Sequence, residues 1–283
     1  MMRPEVFSDD LGFIEGPAWH PKGTLHLVSI SRGLVYELAG DSGAVLSSAS
    51  TAGGPNGLTL GLEGHYVAQN GGIFGASGDA VPGVQVVAGE SATYLSDEDF
   101  DAPNDLCVAP DGRLIVTDPA SEKALVQPVP GRVLACDPLT GDVEVLLSEM
   151  RCPNGLAISA DDRSLYLAQS YLQTIQQFWF EDARLVAGDI VCQVANGRPD
   201  GIAIDMEGNL WVCVPASGGV NVYDPGGTQI ERIECGAGSM TTNLCFGGPG
   251  HRRLFITAAG LGSVLTVTAP VPGLTLHPFR PET

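Results

Sequence analysis

Apolar residues along this chain fall in short runs separated by turns rich in glycine, proline and aspartate. The clearest runs are Leu25-His26-Leu27-Val28, Leu114-Ile115-Val116, Leu165-Tyr166-Leu167, Leu210-Trp211-Val212 and Leu254-Phe255-Ile256. Asp111-Gly112 and Glu207-Gly208 precede two of them, and their glycines can supply the positive φ of a tight hairpin turn. Further runs at 131–136 and 142–147 flank Asp137-Pro138-Leu139-Thr140-Gly141, and those at 219–223 and 229–233 flank Asp224-Pro225-Gly226-Gly227. No segment keeps a 3.6-residue apolar period with caps at both ends. The pattern therefore predicts strands joined by hairpins and argues against a strand–helix nucleotide-binding domain. The Gly-rich stretch 71–78 matches no phosphate-loop fingerprint.

The runs belong to a repeat. Its anchors are Gly16-Pro17-Ala18, Pro55-Asn56-Gly57-Leu58, Pro103-Asn104-Asp105-Leu106, Pro153-Asn154-Gly155-Leu156, Pro199-Asp200-Gly201-Ile202 and Thr242-Asn243-Leu244. Counted from 17, 55, 103, 153, 199 and 242, the spacings are 38, 48, 50, 46 and 43 residues. A period of this length is that of one four-stranded propeller blade. The expectation is an all-β chain: one six-bladed β-propeller of four-stranded blades around a central channel, a single domain over residues 1–283. Part of the proline-bearing tail from Pro270 is expected to pack on its outside.

Composition narrows the function. Fourteen Lys and Arg stand against 33 Asp and Glu, a net charge of −19, which repels phosphate backbones and argues against nucleic-acid binding. An acid excess suits a bound hard cation. No apolar stretch is long enough to cross a membrane, and the start of the chain lacks a basic-then-apolar signal pattern. The seven cysteines include no C-x-x-C pair and sit mostly in apolar runs, as reduced, buried thiols do. These features fit a cytoplasmic protein, monomeric or weakly oligomeric, that meets a small molecule and neither nucleic acid nor membrane.

In a propeller the first strand of each blade lines the channel, so equivalent residues of successive repeats ring one axis. Those residues are Glu15, Asn56, Asn104, Asn154, Asp200 and Asn243. A single Pro-Asn-Gly is an ordinary turn tripeptide. Its recurrence in register, with carboxylates replacing Asn at Glu15 and Asp200, instead describes a cage of oxygen donors for a hard divalent cation. Neither His nor Cys accompanies the ring, which disfavours zinc and copper. Asp118, before Pro119, either faces the substrate side or caps its turn. Ser170, Tyr171 and Asn70 follow equivalent second strands. The five histidines fall off the ring and read as surface or packing residues, and no Gly-x-Ser-x-Gly elbow is present.

These motifs, in this order and spacing, resemble the propeller family of regucalcin (senescence marker protein), the gluconolactonases and the luciferin-regenerating enzymes. The likeness spans nearly the whole chain. It rests on Glu-Gly-Pro-Ala-Trp at 15–19, Pro-Asn-Asp-Leu at 103–106, Thr-Asp-Pro at 117–119, Pro-Asn-Gly-Leu-Ala at 153–157, Pro-Asp-Gly-Ile-Ala at 199–203 and Thr-Asn-Leu-Cys-Phe-Gly-Gly at 242–248. The resemblance implies one divalent cation held by Glu15, Asn154 and Asp200, with Ca²⁺ first and Zn²⁺, Mn²⁺ or Mg²⁺ as alternatives. It implies that Asn104 lies close to the metal and contacts substrate or ligates through its carbonyl; Asn56 and Asp118 are the further candidate substrate contacts. The implied reaction is opening of a small sugar-like lactone (an aldonolactone) to its acid, with Asp200 both ligand and candidate general base. Two departures concern the substrate. Ala102 stands where many sugar-lactone members carry Arg, and Gln69-Asn70-Gly71-Gly72 replaces a Glu-His-Gly. The alternatives are a non-sugar lactone or ester hydrolase on this scaffold, or a non-catalytic propeller with a structural ion.

Overall fold

The computed structural model describes residues 2–62, 64–72, 80–120 and 122–280. Residues 73–78 of the Gly-rich stretch and 281–283 of the tail lie outside them. Among the described residues there is no α-helix, only strands and short 3₁₀ turns. Among these residues no helix is long and apolar enough to cross a membrane.

The chain is an all-β propeller whose innermost strands are Ile14–His20, Pro55–Leu60, Leu106–Val108, Pro153–Ile158, Ile202–Ile204 and Thr241–Gly247. These pack against one another in sequence order, and the last packs against the first. Apolar clusters fill the gaps between neighbouring sheets. Leu106, Leu114 and Val116 meet Ala68 and Val84 across one gap. Trp211, Val220 and Ile233 meet Leu244, Leu254 and Ile256 across another.

The expectation of six separate four-stranded blades is corrected by the sheet topology. Four sheets have four strands, whereas residues 14–96 form one eight-stranded sheet. The join is at the rim, where Ser50 of Val45–Ser50 pairs in parallel with Ser91 of Ser91–Ser96. The Ser50 N–H donates to the Glu90 carbonyl across it (3.2 Å). Two outer strands edged by Ser47, Ser48, Ser50, Ser91 and Ala92 carry side chains small enough to let the edges meet, and pairing satisfies groups an edge strand leaves unpaired. The N-terminal strand Glu5–Ser8 supplies the outer strand of the last sheet, with Glu5 opposite Thr266 and Val6 opposite Leu265. The two ends of the chain thus close the propeller.

The tail does not simply pack outside. Leu274, Leu276, His277 and Arg280 line a cavity of 80 Å³ at one end of the channel. Arg280 donates to the Ser159 carbonyl at 2.7 Å and pairs with Asp162. That end is covered, and the chemistry-bearing residues gather at the other.

The Pro-Asn-Gly repeats are strand starts, not turns. Strand register slips at Glu15/Ala18, Pro55/Gly57, Pro153/Leu156 and Thr241/Asn243. Bulges of this kind re-aim a side chain. The glycines answer to crowding at the axis. A Cβ on Gly155 would lie 2.3 Å from the Asp200 carbonyl oxygen, and one on Gly57 2.7 Å from that of Asn104. Gly155→Ala is therefore expected to cost about 1–3 kcal/mol through overpacking. Chemical denaturation with an unchanged midpoint would show that the inner strands can spread.

Candidate active site

A cavity of 280 Å³ opens at the uncovered end, with Glu15, Asn56, Asn104, Asn154, Asp200 and Thr242 on its wall. They come from the starts of, or the turns before, the six inner strands. At the sixth position the cavity residue is Thr242, not Asn243. Its hydroxyl is hydrogen-bonded to the Ile14 carbonyl (3.0 Å) and to the Thr257 hydroxyl (2.9 Å).

One level deeper, Gly16, Gly57, Gly155 and Gly201 leave room at the axis, and two longer side chains fill it. Asn243 Nδ2 donates to Asp105 Oδ2 across the channel (3.3 Å). Asp105 Oδ1 accepts the Leu106 N–H (2.9 Å), and Leu244 N–H donates to Asn243 Oδ1 (2.8 Å). Both residues line the covered cavity, so they form the floor beneath the ring. The repeat alignment reads Asn243 as a ring member because Asn56, Asn104 and Asn154 each stand shortly before a Leu, although two residues before it there and one here. The cross-channel pairing of 105 with 243 has no local sequence signal.

The electrostatics of this cluster are unusual. Glu15 is buried, at 8% exposure, and its Oε2 accepts the Gly16 N–H (2.7 Å). Burial first, then the charges of Asp200 and Asp105, raise its carboxyl well above the ordinary range, against the pull of Gly16 and Asn243. Burial and the charge of Asp105 push Asp200 up to about 8, opposed by its hydrogen bond from Asn154. Asp105 is pushed up to about 6 by burial. Among the described residues no Lys or Arg forms an ion pair with any of the three. Nor does any set of three or more His, Cys, Asp and Glu side chains among them converge as a metal cluster. The cavity-facing donors are two carboxylates and the amides of Asn56, Asn104 and Asn154.

Asp118 is not on the wall. It is fully buried, and its carboxylate accepts the N–H groups of Asp101 (3.0 Å) and Ala102 (2.7 Å) and the Arg132 guanidinium (2.6 Å). It anchors the turn that presents Asn104. Asp205 is likewise structural, gathering Asn209 and the Trp211 indole N–H (2.9 Å). Cys152 reaches the cavity, but burial and the nearby Asp200 push its thiol up to about 11, so it is no nucleophile at neutral pH. All seven cysteines are free. His20, His26 and His65 cluster with edge-on and tilted rings at the rim, with His26 and His65 centroids 4.3 Å apart, away from the site.

Sequence reasoning missed the upper wall: Phe13, Ile30, Pro119, Pro215, Ala216 and Met240. Each lies just before an inner strand or just after a second one. Ser170, read from the sequence as following a second strand, sits in the same kind of place as Ile30, Pro119, Pro215 and Ala216, and that rule would have found those four.

The model of the SMP-30/Gluconolactonase/LRE-like region matches residues 13–260. A gluconolactonase from Zymomonas mobilis subsp. mobilis is 26% identical, with 90% of this chain and 78% of that one aligned. A pentonolactonase from Haloferax volcanii is 26% identical over 87% of this chain and 81% of its own. The structure of a calcium-binding protein, regucalcin, from Agrobacterium tumefaciens superposes with a TM-score of 0.81 at 20% identity, covering 99% and 98% of the two chains. At that identity the likeness speaks for the fold.

Proposed function

The chain belongs to the SMP-30/gluconolactonase/LRE-like family, and on that footing we propose that it is a divalent-metal-dependent hydrolase that opens a lactone to its hydroxy acid. The observation that carries the reading is the pair Glu15 and Asp200. Two buried carboxylates stand on one cavity wall, Glu15 raised by burial and by the charges of Asp200 and Asp105, and Asp200 raised by burial and by the charge of Asp105, with no ion-pairing cation among the described residues and the Asn154 amide beside them. The donor chemistry fits a hard cation, which takes carboxylate, amide carbonyl and water oxygens; Ca²⁺ is the first choice, and Mg²⁺, Mn²⁺ and Zn²⁺ are compatible. Relatives named gluconolactonase and pentonolactonase support the reaction, and the likeness to a calcium-binding regucalcin supports the ion.

Glu15, Asn154 and Asp200 would hold the ion. When bound it polarises the lactone carbonyl and stabilises charge developing on its oxygen. Asp200 would take a proton from the attacking water as the water oxygen bonds to the carbonyl carbon, and would return it to the ring oxygen as the ring C–O bond breaks, leaving the carboxylic acid and an alcohol and restoring the Asp200 carboxylate. Asn104 and Asn56 orient the ring through their amides. Asp118 acts through the backbone of 101–102, holding Asn104 in place.

Acid release from γ- and δ-lactones tests the reading. Protein stripped with a chelator is expected to lose at least about 100-fold in rate and to regain it with Ca²⁺. Equal rates before and after stripping would remove the metal from the mechanism. No opening of any lactone with Ca²⁺, Mg²⁺, Mn²⁺ or Zn²⁺ would remove the hydrolase.

A further inference from the structure

The cavity has a polar floor and an apolar wall. Phe13, Ile30, Ala102, Ala216 and Met240 present hydrocarbon or thioether to it, and Pro119, Pro199 and Pro215 have no N–H to offer. Several of the wall's polar groups are already engaged. Ser170 Oγ donates to the Pro199 carbonyl (2.6 Å), and Asn70 Oδ1 accepts the Gly72 N–H (2.7 Å). The Arg198 guanidinium lies over the Tyr171 ring, 5.1 Å from its centroid. The backbone is committed too. The Ala102 N–H goes to Asp118, the Phe13 N–H to Ser31 Oγ (2.9 Å), and the Phe13 carbonyl accepts the Ile30 N–H (2.8 Å). The amides of Asn56 and Asn104 remain, at the floor beside the carboxylates.

A sugar lactone carries a hydroxyl on nearly every ring carbon. Buried here, most would face groups that can neither donate nor accept, and an unpaired buried hydroxyl is costly. A ring whose carbons carry hydrogen and alkyl instead loses nothing on that wall and gains from leaving water. We infer that this cavity selects a lactone with an alkyl substituent in place of ring hydroxyls, its carbonyl at the polar floor and its hydrocarbon against Phe13, Ile30, Ala216 and Met240. The inference rests on the lactone-hydrolase reading and narrows its substrate class.

The test compares δ-nonalactone with glucono-δ-lactone on Ca²⁺-loaded protein. kcat/KM is expected to favour the alkyl lactone at least about 100-fold. Met240, exposed at the rim, can be exchanged without touching the core. Met240→Gln puts an amide on the wall and is expected to narrow the preference about tenfold, mainly through KM. Equal or better turnover of the hydroxylated lactone overturns the inference and leaves the hydrolase reading standing. If neither lactone is opened, the hydrolase reading falls and calorimetry decides the inference with inert lactams. Tighter binding of 6-butyl-2-piperidone than of gluconolactam supports an apolar-selective cavity; the reverse order refutes it.

Discussion

Asp200→Asn is expected to lower lactone kcat/KM by roughly 10³-fold or more, because it removes both an anionic oxygen donor and the proton acceptor while keeping the side chain's shape. The fold has no reason to suffer. The Asn154 side chain can hydrogen-bond an amide as it does the carboxyl. The parent carboxyl is in fact a liability without a cation. Its folded pKa of about 8 lies above the unfolded value of about 3.9, so the folded state binds the extra proton between them. Stability from this group is therefore whole below about pH 4 and is lost as pH rises through 8. An amide never ionises, so metal-free Asp200→Asn should exceed the parent in thermal midpoint modestly at pH 5 and by much more at pH 8.5. Full turnover by the variant would remove Asp200 from the chemistry. A midpoint well below the parent's at both pH values would make the residue structural.

How far this site could be read from sequence divides along physical lines. Period and turn chemistry report strands and their repetition, because glycine at a hairpin and alternation along a strand are local requirements. They reveal the ring at Glu15, Asn56, Asn104, Asn154 and Asp200, since one repeat position maps to one height on the axis. Sheet edges are not local. Whether Val45–Ser50 meets Ser91–Ser96 depends on the width of two distant outer strands, so the eight-stranded sheet was not foreseeable from the blade period. Nor was the pairing of Glu5–Ser8 with Ser263–Thr268, which a short amphipathic start does not announce. Asp118 shows a third limit. A carboxylate after a second strand looks the same in sequence whether it faces substrate or holds a turn, and only Arg132 and the 101–102 amides, supplied by other segments, decide.

The affinity for Ca²⁺ should rise about tenfold or more per pH unit below pH 8 and flatten above it as Asp200 ionises. A cation binds the carboxylate form, so each proton that must leave contributes one decade per unit below the pKa of the group that holds it. Asp200 contributes one such proton up to about 8. Glu15, raised by burial and by Asp200, steepens the slope wherever it too is still protonated. Asp105 adds repulsion from the floor rather than a donor to the cavity, and its own proton, held to about pH 6, matters only on the acid side. Calorimetric titration at pH 6 and pH 8 should therefore give dissociation constants at least about 50-fold apart, with proton release visible as a dependence of heat on buffer ionisation. Asp200→Asn and Glu15→Gln should each bind more weakly and with a shallower slope, since each has lost one titrating donor. A pH-independent affinity in the parent would mean that the cation sits away from these two carboxylates, because no ion could join a pair so reluctant to ionise without displacing their protons.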